Sequence, residues 1–399
     1  MASYEIGISG IHAAQKALNV IGNNLANAAT EGYHKQEIDL RPAEDALSNG
    51  QMVGQGVEFS GIRRRLDTFL ESEMIRYNST LSMVSRKLDA MRIVESGMGE
   101  LSQTSISKSL DNYYASIHNL SMRPQDVNYQ TSVLSSAETL TNQIRNLASV
   151  VNSLQDSMYT EAESIVNQIN QLASHIASMN QEIFTLLVRG QECNNLMDQR
   201  DLLIGQLGKL VDVRTQQREY GVVDVSISDM PLVIGSNTST IQLGMVENQG
   251  HLDLGIGAGG SETFETNIRG GNLGAITNLR NHALQEFMSS LDRLALTLIS
   301  ETNKLHVQGI GSEGSFTSLS GWTMNESAIA DFVPPVTSGT IYVRVIDPSG
   351  AATRHAVTVD ASSTLASVAA DLAAIPGLED ATGLNSGRLQ IVANTGYQF

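Results

Sequence analysis

Residues of the types that do chemistry are present in this chain, but their spacing gives little for a reaction to use. Gly255 to Gly260 reads Gly-Ile-Gly-Ala-Gly-Gly and formally matches the glycine turn that receives a dinucleotide pyrophosphate. The following Ser-Glu-Thr-Phe-Glu-Thr, residues 261–266, lacks the crossover helix such a site needs, so a flexible loop is expected here. Asp198 and Asp201 could pair as acid and base. With Arg200 beside them and Leu202, Leu203, Leu207 and Leu210 following, they read instead as the charged face of a helix. The eight histidines are scattered, and none is spaced to put two metal ligands on one helix face beside a carboxylate, so surface or interface positions are expected. Cys193 is the only cysteine, which excludes an internal disulfide framework and a Cys-rich zinc site. No P-loop, zincin, nucleophile-elbow or EF-hand pattern occurs. No catalytic, cofactor-binding or metal-ligating residue is assigned, no cofactor is expected, and the reading is that of a protein that is not an enzyme.

The elements that could position any site are set by composition. At 399 residues the chain can bury two or three cores without a metal or disulfide. Its net charge of −17 argues against nucleic acid as a partner. The acid is concentrated late, with 19 acidic and 9 basic residues from 211 to 399, as expected if one end packs among neighbours and the other faces water. Glu5 and Lys16 interrupt the apolar pattern of the first thirty residues, so no cleavable signal is visible. No apolar run approaches the roughly 20 residues of a membrane span. The protein is expected to be soluble, and either to stay in the cytoplasm or to leave it without a cleaved signal.

Between Leu101 and Arg189 there is no glycine, and between Gln125 and Met230 no proline, which predicts long helices. From Val133 through Leu140, Leu147, Leu154, Ile165, Ile176 and Leu186, apolar residues alternate by four and three, a heptad seam. The seam predicts either one very long helix or two helices in a shared phase meeting near Asp156 to Glu163. Further seams run from Leu70 to Met91, ending at Gly97 and Gly99, from Ile106 to Leu120, and from Leu273 to Leu305. Mutual covering of these seams predicts an antiparallel bundle. Period two appears at residues 221–228 and 231–235, a small β element. Beyond Gly309 strands are expected at Thr340 to Ile346, His355 to Asp360 and Arg388 to Ala393, with a short helix at Leu365 to Ala374. The fold class is mainly α with β-rich additions, elongated and multi-domain. Its expected parts are an N-terminal helix and connecting segment (1–60), a long helical bundle with an inserted β element at about 211–265 (61–310), and an outer α+β domain (311–399). The last strand ends close to residue 399, so that domain is expected to be incomplete.

The N-terminal segment carries Ile11, Ala14, Leu18, Ile21 and Leu25 at helical spacing, but is too short to be stable unpartnered. It runs into residues 22–33, Gly-Asn-Asn-Leu-Ala-Asn-Ala-Ala-Thr-Glu-Gly-Tyr, rich in side chains that cap helices and bridge to backbone. Residues 17–33 resemble the signature shared by the rod, hook and hook-associated proteins of the bacterial flagellum. Tyr33 to Gln36, Tyr-His-Lys-Gln, is similar to a Tyr-Ser-Arg-Gln element of the hook-associated branch, with His34 and Lys35 substituted. Blocks at residues 56–70, 169–180, 195–203 and 269–274 resemble further blocks of that branch, in order.

The resemblance implies a structural component of the flagellum, an adaptor joining hook to filament at the hook–filament junction. It implies export through the flagellar type III channel without a cleaved signal, and an extracellular location. The implied partners are further copies in a ring-like assembly, the hook protein, the next junction protein, and the export apparatus with its chaperone, with no nucleic acid and no membrane span. The implied assembly interface is Ile11, Leu18, Ile21, Asn23, Asn24, Leu25, Asn27, Gly32 and Tyr33. The family also has a C-terminal helix paired with the N-terminal one; no such segment is present, so a fragment or truncated product is expected.

Overall fold

Glycine and proline decide where helices can run in this chain. The computed structural model describes residues 2–44, 46–48, 51–53, 55–99, 105–248, 250–306, 315–324, 328–332, 336, 338–379, 383–385 and 387–399. The chain divides into two compact units, residues 1–296 and 297–399. The boundary expected near residue 311 lies outside the described residues. Helices dominate, with small sheets added.

The first unit opens with α1 (Ala2–Ala26), followed by strands β1 (Gln36–Pro42), β2 (Ala46–Ser48), β3 (Gln51–Val53) and β4 (Val57–Arg64). β1 and β4 form one antiparallel ladder from Gln36 opposite Arg64 to Pro42 opposite Val57, and β2 pairs with β3 inside its loop. This hairpin has no counterpart in the sequence reading. α2 (Thr68–Met98) starts on Asp67, whose carboxylate accepts from the N–H groups of Phe69 and Leu70. It ends on Gly99 in the left-handed conformation, while Gly97 stays inside the last turn.

α3 (Ile106–Met122) and α4 (Val127–Val188) are capped by Ser105 and Asp126. α4 is one helix of 62 residues, about 93 Å long at the usual rise. The alternative of two helices meeting at Asp156 to Glu163 is therefore set aside. Leu147, Val151, Met158, Ile169, Ile176 and Ile183 along it are buried. The seam on α2 behaves differently. Leu70, Met74, Tyr77, Leu81, Val84, Leu88 and Met91, expected to be covered by other helices, are 37–70% exposed. α2 turns its opposite face inward, with Ser79, Ala90 and Val94 buried. Small residues there permit close approach: a Cβ at Gly97 would lie 3.1 Å from Val150 Cγ1, and one at Gly208 would lie 2.7 Å from Ile75 Cγ2.

α5 (Asn194–Leu210) leads to β5 (Val213–Gln217), β6 (Val223–Ile227), β7 (Met230–Ile234) and β8 (Asn237–Thr238), a four-stranded antiparallel sheet in sequence order. β9 (Ile241–Asn248) and β10 (His251–Ala258) form a separate hairpin. Gly255 to Ala258, expected as a flexible loop, are thus strand. The glycines are there because Phe264 folds back over the hairpin, and a Cβ at Gly244 would lie 2.3 Å from its ring. α6 (Gly271–Asn278) runs through a π turn, residues 279–283, into α7 (Leu284–His306). The turn aims buried Asn281 at Leu254, whose N–H and C=O it satisfies at 2.8 Å each. One core joins α4, α5, α6 and the strands β6, β7, β9 and β10.

In the second unit β11 (Ser318–Thr323) pairs with β15 (Arg388–Val392), which also pairs with β14 (Gly383–Asn385). β12 (Ser338–Ile346) and β13 (Ala352–Asp360) form a second antiparallel ladder. α8 (Leu365–Ala373) begins with a Thr364–Ser367 capping box. Val343, Val345, Val357, Val359, Val368 and Leu372 build this unit's core.

Candidate assembly interface

α1 has two faces with different fates. At 100° per residue Ala13, Ala17, Val20 and Asn24 share one side, and Ile11, Leu18, Ile21 and Leu25 share a second. Ala13 and Val20 are buried and Ala17 half-buried, where the helix packs on the β1–β4 hairpin. Polar contacts fix this seat. The Val57 N–H donates to Ser9 Oγ at 3.2 Å, and the Lys16 ammonium stands 3.6 Å over the Phe59 ring. The second face, roughly a third of a turn around the helix, is uncovered, with Ile11, Leu18, Ile21 and Leu25 60–78% exposed.

The Asn-rich segment at the end of α1 spends its hydrogen bonds inside the chain. Asn24 pairs with the backbone of Gln36 in both directions, donating to its C=O at 2.8 Å and accepting from its N–H at 2.9 Å. Tyr33 donates its hydroxyl to Asn24 Oδ1 at 2.8 Å. Asn27 donates to the Asn23 side chain at 2.8 Å. Gly32 has φ +78°, and a Cβ there would press within 3.2 Å of Leu202 Cβ on α5. The sequence-derived interface therefore separates into four outward apolar residues and a fastening, Asn23, Asn24, Asn27, Gly32 and Tyr33, in which Asn24 and Tyr33 tie the end of α1 to the start of β1.

Sequence reasoning missed a buried polar cluster behind this fastening. Asp198 and Arg200, read as a charged helix face, are 6% and 2% exposed. α5 lies between β4 and α4, so its charges point at partners rather than at water. Arg64 of β4 donates to Asp198 at 2.7 Å and to Asp201 at 2.8 Å. His34 contacts Asp198 Oδ1 through Nδ1 at 2.8 Å and Glu71 Oε1 through Nε2 at 3.2 Å. Arg200 donates to Asp201 Oδ1 at 3.0 Å and to the Gly221 carbonyl. Asn180 of α4 in turn donates to the carbonyls of Val223 and Gly235 at 2.8 Å each. Burial lowers the His34 pKa, but the hydrogen bonds to Asp198 and Glu71 and their charges raise it by more, so the net shift from 6.5 is upward. Burial and the charge of Asp198 push the Tyr33 phenol up, and burial pushes up the Cys193 thiol. The only sequence signal for this cluster was the polar run Asp198 to Asp201 standing between Leu196-Met197 and Leu202-Leu203.

Among the described residues no group of His, Cys, Asp and Glu could hold a metal ion, and no helix is long and apolar enough to cross a membrane. The family of the flagellar hook-associated protein FlgK helical domain matches residues 91–318, and the flagella basal body rod protein family matches residues 5–34. Flagellar hook-associated protein 1 of Salmonella typhimurium is 26% identical over 408 residues, covering 98% of this chain and 72% of that protein. Its counterpart from Bacillus subtilis is 24% identical over 342 residues, covering 76% and 66%. The solved flagellar hook junction protein FlgK from Burkholderia pseudomallei shares the fold with a TM-score of 0.52 at 20% identity, and the match covers 82% of this chain and 61% of that one.

Proposed function

The chain belongs to the flagellar hook-associated protein FlgK family, a family of structural proteins and not of enzymes, and on that premise we propose that it joins hook to filament, assembling by helix packing with neighbouring copies. The observation that carries this reading is the uncovered stripe Ile11, Leu18, Ile21 and Leu25 on a helix whose other face is already seated. Fully burying each such side chain is worth about 1.5–3 kcal/mol, so four of them repeated around a ring supply a strong drive to associate. The fastening at Asn23, Asn24, Asn27, Gly32 and Tyr33 sets the angle at which the stripe is presented. The apolar face of α2 adds a second surface whose burial on assembly fits the same role, and the heptad-spaced helices act as an antiparallel bundle behind α1. In this reading residues 1–60 form the inner contact, 61–310 the bundle and 311–399 an outward domain. The partners are further copies in a ring, the hook protein, the next junction protein, and the export apparatus with its chaperone. The protein leaves the cell by the flagellar type III route without a cleaved signal and acts outside it.

Complementation of a strain lacking its hook–filament junction protein tests the reading. The wild-type full-length protein is expected to restore motility. A variant with Ile11, Leu18 and Ile21 changed to Asp is expected to fold yet shed filament subunits into the medium. Failure of the wild type on intact hooks would count against the junction role, and normal filaments on the triple variant would count against the α1 interface.

A further inference from the structure

His34 lies between α1 and β1, and its ring touches two helices at once: Asp198 of α5 at 2.8 Å through Nδ1 and Glu71 of α2 at 3.2 Å through Nε2. An ionised carboxylate only accepts hydrogen bonds, so holding both contacts requires both ring nitrogens to donate, which only imidazolium does. Neutral imidazole keeps one N–H and turns a lone pair toward the other carboxylate, replacing attraction by repulsion. Arg64 donates to the same Asp198 oxygen at 2.7 Å and is itself tied to Asp201 at 2.8 Å, so that oxygen accepts from two donors at once. Arg200, held by Asp201, and Tyr33, within the field of Asp198, complete the charged and titratable surroundings.

We propose that His34 is a protonation-dependent latch: as imidazolium it ties the N-terminal arm, residues 2–64, to the first turn of α2, and on losing its proton it keeps the α5 link and releases the α2 link. Geometry selects which link survives. Asp198 is the shorter contact, its side chain is 7% exposed, and it also takes the His34 backbone N–H at 3.3 Å. Glu71 is 37% exposed and can turn to water. The upward shift of the histidine from 6.5 gives the sign. The stabilisation is complete below about pH 6.5, the unfolded value, and is lost as pH rises through the higher folded value. Arg64 stays charged across this range, so the arm remains attached at β4 while its hold on α2 loosens. The latch stands independently of what α1 assembles with.

Titrating the folded full chain by NMR, with labelled histidine and amide hydrogen exchange on the same samples, tests this. The His34 midpoint is expected above 6.5, with amides Phe69 to Ser72 exchanging faster through that midpoint than the intrinsic pH dependence allows. In Glu71→Gln the midpoint is expected to move down, since the charge that favours imidazolium is gone. In His34→Gln the exchange step is expected to disappear. A wild-type midpoint at or below 6.5, a midpoint unmoved in Glu71→Gln, or a step that persists in His34→Gln overturns the latch; if His34→Gln does not fold, the first two results decide.

Discussion

Arg200 shows what a single residue in this chain has to satisfy. Its side chain is 3% exposed, and its guanidinium reaches Asp201, the Gly221 carbonyl and, at 3.4 Å, Asn180, which orders the entry to β6. A buried charge network is a weak source of net stability, yet breaking it by removing one member leaves the others desolvated and unpaired. Arg200→Met is therefore expected to destabilise the first unit by about 3–5 kcal/mol, read from urea denaturation. Arg63→Met is the control. Arg63 pairs with Asp39 at 2.9 Å but is 74% exposed, so its loss should stay within about 0.5 kcal/mol. Sequence spacing could not separate these two arginines. Arg200 stands among leucines, which suggested a solvated edge on an apolar helix, whereas the partners that bury it lie 20 or more residues away in α4 and the β5–β6 connection. Asn24 was legible as a capping and bridging residue, but its partner, the Gln36 backbone, depends on a hairpin that the sequence did not announce.

Elements were legible where local chemistry alone decides them. The glycine-free and proline-free stretch and its apolar spacing pointed to α3 and α4, and the alternation in residues 340–346 and 355–360 pointed to β12 and β13. The β1–β4 hairpin escaped notice because the polar–apolar alternation of Glu37 to Arg41 is only five residues long before Pro42, and a bulge shifts the register between Asp39 and Leu40. The α2 seam misled for another reason: periodicity locates an apolar face but not what covers it, and small residues on the reverse side took α2 inward. The glycines of β9 and β10 also need tertiary context, since their absent side chains make room for Phe264. Gly244→Ala places a methyl group 2.3 Å from that ring and is expected to destabilise the hairpin by about 1–3 kcal/mol through overpacking. In a Phe264→Ala background the same change should be nearly neutral. A double-mutant cycle by thermal unfolding would measure this coupling, and additive effects would show that Phe264 does not occupy the slot.

At the scale of the whole molecule, the described residues form two cores with no residue in common, one built around α4 and the other around β12, β13 and α8. Burial on this pattern gives each unit its own cooperative stability, because deleting methylenes from one core removes contacts made only within it. Ile169 is fully buried in the first core and Leu372 is 1% exposed in the second. Each is expected to lose about 2–5 kcal/mol on substitution by alanine. The effects should be confined: Ile169→Ala should raise amide exchange along α4, α5 and β6 while β12 and β13 keep their protection, and Leu372→Ala should do the reverse. The double variant should then show the sum of the two single effects, as independent sites do. Exchange that accelerates throughout the chain in either single variant would mean that the two cores melt as one, and the separate stabilities argued from their composition would be wrong.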